Sequence, residues 1–384
     1  MKEFLYNKKS RGVLLQGLFI IFVISGFYFF ASNAAKNLAS QGIASGFSFL
    51  DETAGFAIIQ SIIPYSEESS YLSAFFVGLL NTLLVSFVGI ILASILGLTV
   101  GISRLSNNYL LSKVAGAYIE VIRNIPLLLQ IFFWYFVVLR SLPSPKMSVE
   151  FFGSVFINNR GVYIPWPSPG ENFSLLCILL IGFLALAYKY KKSADNIQKD
   201  TGVKISIARA LAASFIFFMI FFHLFVGPSL TFSFPSLRGF NFQGGATLIP
   251  EFVALLLSLV IYTGAFIGEI VRAGIQAVPK GQVEAAEALG LKRGVILRKV
   301  IIPQALRVII PPVTSQYLNL TKNSSLAAAI GYPELVSVFA GTVLNQTGQA
   351  VEVILITMSV YMAISLIISF GMNVYNQKKA IIER

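Results

Sequence analysis

The chain has a single cysteine, Cys177, and a single histidine, His223, in 384 residues. An internal disulfide is therefore excluded, and so is a cysteine-rich metal site. His223 stands among Phe221, Phe222, Leu224 and Phe225 with no carboxylate nearby in sequence, and reads as a packed or interfacial side chain. No metal-ligand cluster or nucleophile–base arrangement stands out. The phosphate-binding pattern G-x-x-x-x-G-K-[ST] occurs nowhere, so the chain is not expected to bind and hydrolyse ATP on its own. Charge is scarce as well: 12% of residues are charged against 56% apolar, far from the balance of soluble domains. A soluble protein would need far more polar surface. The composition is that of an integral membrane protein.

Apolar runs long enough to cross a bilayer, roughly 18 residues or more, place eight candidate spans. They lie at 13–31, 74–102, 114–139, 173–189, 206–226, 250–272, 306–328 and 350–374. The net charge of +12 follows topology rather than nucleic-acid binding. Of the 29 basic residues, 23 fall within 1–12, 103–123, 189–209, 272–307 and 375–384, all on one side if the spans alternate. The positive-inside rule then puts both termini and the segment after the sixth span in the cytoplasm. Asp51, Glu52, Glu67 and Glu68 lie in the opposite, outer loop. The first span follows Lys8, Lys9 and Arg11 and precedes small residues at 31–35, as a signal peptide would; its apolar run is longer than a usual signal core, and it is expected to be retained. Segments 144–172 and 227–247 are rich in Pro, Gly and aromatics and read as turns.

A short polar break separates the sixth and seventh spans. It reads Glu284-Ala285-Ala286, three residues, Gly290, nine residues, then Val300-x-Ile302-Pro303. Ala285, Ala286 and Ala288 are small helix formers, and Gly290 is placed to end the helix in a left-handed conformation. A helix so poor in side-chain bulk can seat its backbone closely in another protein's groove. The bland alternative is a plain surface helix with Glu284 favouring its N-terminal dipole. Downstream, Leu291, Val295, Ile296 and Val300 share an apolar face beside Lys292, Arg293, Arg298 and Lys299, the pattern of a helix lying at a lipid interface. Pro303 is expected to end it.

This stretch resembles the EAA loop, E-A-A-x3-G-x9-I-x-L-P, of permease subunits of binding-protein-dependent ABC importers, with Val300 and Ile302 in place of Ile and Leu. The resemblance is wider. Residues 78–86, 118–128 and 264–275 are similar to three core helices of the polar amino-acid permeases. Residues 241–245, 314–325 and 341–350 are similar to the general L-amino-acid subgroup, most of all its first, long permease subunit. The resemblance implies an all-α polytopic fold in a bacterial inner membrane, with a five-helix core. Around that core, residues 1–72 add an N-terminal helix and outer loop, 73–140 form the first core part, and 141–247 are an insert with two spans. Residues 248–384 form the second core part, with the coupling loop at 279–303. It also implies partners: a second, shorter permease, a periplasmic amino-acid-binding protein, and an ATPase dimer that would hold the ATP and Mg, this chain holding no cofactor.

Three groups of candidate site residues follow. Glu284, Ala285, Ala286, Gly290 and Pro303 would form the ATPase-coupling loop. Glu120, Arg123, Glu269 and Arg272, near span ends, read either as snorkelling or locally paired charges or as an ion-pair gate between helices. Gln316, Asn319 and Asn323 share one face of the most polar span. Polar groups in lipid need partners or a water-filled cavity, so this stripe reads either as a translocation path or as interhelical bonding at a permease dimer interface. Asn81, Thr82 and Gln130 are further candidates of that kind. Pro311-Pro312 is expected to kink or break the helix upstream of the stripe.

Overall fold

A computed structural model describes residues 8–40, 46–202, 207–225 and 230–379. Expectations on other residues, Lys204 of the basic linker and the chain ends among them, lie outside the described residues. In chain order the helices are α1 (Lys8–Ser40), α2 (Tyr71–Arg104), α3 (Tyr109–Asn124), α4 (Leu127–Phe132, extended by a π turn over Phe133–Leu139), α5 (Phe173–Thr201) and α6 (Ile207–Phe225). They continue as α7 (Pro250–Gln276), α8 (Lys280–Ala288), α9 (Arg293–Ile296), α10 (Ile302–Asn323), α11 (Leu344–Thr347) and α12 (Ala350–Lys379). Four helices are long and apolar enough to cross a membrane: α2, α5, α7 and α12. A fifth joins them if α3 and the extended α4 form one bent span. Among the described residues, then, four or five of the eight expected spans meet that standard of length and composition.

The chain divides into two compact units, one of Met1–Tyr135 with Ala254–Arg384 and one of Phe136–Val253. In the first, α2 is gripped differently at its two ends. Near Tyr71 the grip is aromatic and hydrogen-bonded. Phe49, Ala54, Tyr71, Ala74, Leu335, Val338, Phe339, Val343 and Val353 form one buried cluster, so the segment around 46–70 is packed rather than loose. Asn81 Nδ2 donates to the carbonyls of Gln60 (2.8 Å) and Pro333 (2.9 Å), and Thr82 Oγ1 accepts from Leu335 N (3.0 Å). Glu334, fully buried, accepts from the backbone N–H of Val336 (2.8 Å) and Ser337 (2.7 Å) and from the Tyr361 hydroxyl (3.0 Å). It thereby satisfies the otherwise orphaned first amides of the π-helical segment Val336–Val343.

At its far end α2 meets α7 through glycine. Gly97 and Gly101 face Gly264 and Gly268, a G-x3-G from each helix. A Cβ built on Gly101 would stand 2.6 Å from the Gly268 carbonyl oxygen and 2.8 Å from Val271 Cβ. Small residues at this spacing let two backbones approach, which is how helices without a hydrophobic drive between them pack in lipid.

One span and two proline expectations change. The span at 114–139 is not one straight helix: α3 and the extended α4 meet at 104°. Pro126 disfavours the helical conformation for Ile125, which sits at φ −99°, ψ 126°, and Gln130 Nε2 stitches the corner by donating to the Ile122 (3.1 Å) and Ile125 (3.0 Å) carbonyls. Pro303 does not end the preceding helix. Ile301 and Ile302 stay helical, and Pro303 falls in the first turn of α10 after a π turn over Leu297–Ile301, where a missing N–H costs least. Nor do Pro311 and Pro312 break the helix; α10 runs through both, with Ile309, Ile310 and Val313 buried on its packed side.

The second unit carries β-structure that the turn-rich reading did not foresee. Strands β1 (Val149–Phe151), β2 (Val155–Asn158), β3 (Gly161–Ile164) and β8 (Ala246–Leu248) form an antiparallel sheet in that order. Strands β4 (Trp166–Pro169) and β5 (Leu230–Ser233) form a pair, as do β6 (Ser236–Arg238) and β7 (Asn241–Gln243). Phe242 packs its ring on Phe156 (4.6 Å) and Tyr163 (4.8 Å), and the Tyr163 hydroxyl donates to Asn241 Oδ1 (2.8 Å). Asn241 and Phe242 thus fasten the β6–β7 hairpin to the sheet.

Candidate functional site

The polar break after α7 folds as the nine-residue α8. Ala286 is buried (5% exposed), while Glu284 and Ala285 face outward. Gly290 adopts φ +70°, its N–H reaches the Glu287 carbonyl (2.9 Å), and Leu291 N–H reaches that of Ala286 (3.2 Å). This pair of bonds is the Schellman end, which requires a left-handed residue and therefore favours glycine. Leu289 is 78% exposed beside it. An exposed leucine next to exposed alanine gives α8 a small apolar surface, which sequence reading passed over. Pro303 stands apart from α8, at the start of α10.

The four candidate gate charges are only partly brought together. Glu269 and Arg272 pair along α7, with Arg272 Nε donating to Glu269 Oε2 at 3.0 Å. A third residue, Arg104 at the end of α2, reaches Glu269 Oε2 at 3.6 Å, the two side chains being 33% and 25% exposed. Arg123 turns its guanidinium over the Phe266 ring, 4.9 Å from the centroid. Glu120 lines a cavity of about 360 Å³ with Arg104, Arg123, Asn124, Phe266 and Glu269. Arg104 was visible in sequence only as one of the basic residues flanking a span.

Gln316, Asn319 and Asn323 do converge. With Tyr262, Thr263 and Phe266 they line a second cavity of about 210 Å³. It offers amide donors and acceptors and two aromatic walls, a set able to meet both a carboxylate and an ammonium group. Asn81, Thr82 and Gln130 are not part of it. All three are buried and bond to backbone, holding the α2 end and the α3–α4 corner.

A family profile described as "Binding-protein-dependent transport system inner membrane component" matches residues 202–381. The chain is 53% identical to the putative amino-acid ABC transporter permease protein YhdX of Escherichia coli K12, over 98% of this chain and 96% of that protein. It is 46% identical to the general L-amino acid transport system permease protein AapQ of Rhizobium johnstonii, over 99% and 95% of the two. To the glutamate/glutamine/aspartate/asparagine permease protein BztB of Rhodobacter capsulatus it is 38% identical, over 99% and 96%.

Proposed function

Because the chain belongs to the inner-membrane permeases of amino-acid ABC transporters, we propose that it carries L-amino acids of broad side-chain type into the cytoplasm, driven by ATP hydrolysis on a separate subunit. It is a transport subunit and not an enzyme. In this reading α8 seats in a groove of the ATPase, which holds the ATP and Mg. Closure of the ATPase dimer pushes α8, α7 turns with it, and the cavity at Gln316, Asn319 and Asn323 changes the side on which it opens. A soluble binding protein delivers the amino acid from the other face. A second, shorter permease completes the path, and both termini face the cytoplasm, a placement supported by the distribution of Lys and Arg.

The observation that carries this reading is the form of α8: a short, exposed, small-residue helix, capped by Gly290 and separated from α7 by only three residues. A coupling element needs both an exposed surface and a short connection to a membrane helix, and α8 has both. The test is reconstitution of the chain in proteoliposomes with its second permease, the ATPase and the binding protein. ATP-driven, binding-protein-dependent uptake of several L-amino acids is expected. Uptake that proceeds without the ATPase would refute it.

A further inference from the structure

Phe266 lines both cavities, the charged one beside Arg104 and Glu269 and the polar one beside Gln316 and Asn319. Its ring is held from two sides. Arg123 lies over it at 4.9 Å from the centroid, and the Tyr262 ring stands 5.0 Å away at 52°. Phe266 occurs one helical turn before Glu269 on α7, the helix that leads into α8. A single apolar ring therefore stands where two polar spaces adjoin, on the element that a push on α8 would turn.

The chemistry of the cargo decides what such a ring does. A free amino acid carries a carboxylate and an ammonium, and neither crosses an apolar constriction without losing water it cannot replace. Hydrophobic constrictions close pores in this way without filling them. A guanidinium over the face of a ring fixes it by an attraction weak enough to be broken in each cycle. We propose that Phe266, clamped by Arg123, is the partition that separates the amino-acid cavity from the charged vestibule and opens when α7 turns. The proposal rests on the permease reading above and adds to it the residue that seals the path.

The experiment uses the full complex in proteoliposomes loaded with a radiolabelled mixture of L-amino acids, with efflux followed in the absence of ATP. Phe266→Ala is expected to raise nucleotide-independent efflux about tenfold by removing the constriction, whereas Phe266→Trp keeps it near wild type. Arg123→Gln is expected to leak less than Phe266→Ala but more than wild type. A ring of merely structural importance would lower the yield of complex without raising efflux from what remains. Wild-type efflux in assembled Phe266→Ala complexes overturns the proposal; if that variant fails to assemble, wild-type efflux in Arg123→Gln does so. Failure of the permease reading would appear separately, as wild-type complexes that take up none of the mixture with ATP and binding protein present.

Discussion

The two ends of α2 are held by opposite means. At the Tyr71 end the contacts are buried: an aromatic cluster, amide and hydroxyl bonds to backbone, and a carboxylate, Glu334, enclosed with both oxygens accepting hydrogen bonds. At the Arg104 end two backbones touch across glycines, and the polar contact is a partly exposed pair, Arg104–Glu269. Buried hydrogen-bonded contacts resist rearrangement, because breaking one strands a polar group in a low dielectric; here Asn81 Oδ1 alone of that side chain's polar atoms lacks a partner. Exposed ion pairs are weak and can be exchanged for water. One end of the helix is thus built as an anchor; at the other, nearest α8, the glycine seam is fixed and the ion pair beside it is the contact that can be remade. Four experiments probe that contrast.

The largest effect is expected at the glycine seam. Gly101→Leu would force a side chain into the Gly268 carbonyl and Val271, so α2 and α7 must separate. Overpacking of this kind costs about 1–3 kcal/mol where side chains can give way, and here the obstacle is backbone. Loss of folded protein from the membrane, read by detergent-solubilised yield and size-exclusion profile, is expected. Gly371→Leu on α12, where a Cβ meets nothing within 4 Å, is the matched control and is expected to be neutral. A well-folded Gly101→Leu protein would show that the seam is loose.

Next is the anchor. Glu334→Ala strips partners from two part-buried backbone N–H groups and from the Tyr361 hydroxyl. Each stranded group costs about 1–3 kcal/mol, so the thermal midpoint of the purified protein should fall clearly, with Glu334→Gln falling less because its amide oxygen still accepts. An unchanged midpoint in Glu334→Ala would remove the anchor from the comparison.

How much of this was legible in the sequence differs along the same helix. The apolar runs gave the membrane class, and Gly290 gave the end of α8, because a left-handed residue at a helix end is a local requirement. Gln316, Asn319 and Asn323 were legible as one face because i, i+3, i+7 spacing is also local. Arg104 was not, since its partner lies on a helix distant in sequence and only packing brings them together. Glu334 was not singled out in the sequence, as nothing in its neighbours announces burial. The strands of the second unit escaped because they are short and interrupted by Pro and Gly, so the alternation that marks a strand never runs long enough to register. Pro126 was a readable break that the apolar run around it concealed.

A smaller effect on folding, though not on transport, is expected from Glu269→Lys. The carboxylate holds Arg272 along α7 and faces Arg104 across to α2, and reversal places three cations together. Because the groups are a quarter or more exposed, solvent and salt absorb most of the repulsion, and the protein should still assemble at near wild-type yield. Uptake in the reconstituted complex should fall well below wild type. Unchanged uptake would show that this charge cluster has no part in the cycle.

The smallest effect distinguishes a remakeable contact from a second anchor. Arg104 and Glu269 approach to 3.6 Å with 33% and 25% of their side chains exposed. A double-mutant cycle on thermal stability with Arg104→Gln and Glu269→Gln should give a coupling of about 0.2–1 kcal/mol, the range of exposed pairs, and it should shrink as salt is raised from 0.05 to 0.5 M, where the Debye length drops from roughly 14 to 4 Å. A coupling above about 2 kcal/mol, insensitive to salt, is what a buried pair would show. That result would make both ends of α2 anchors, and the motion would then have to pass along α7 and α10 without α2 changing its neighbours.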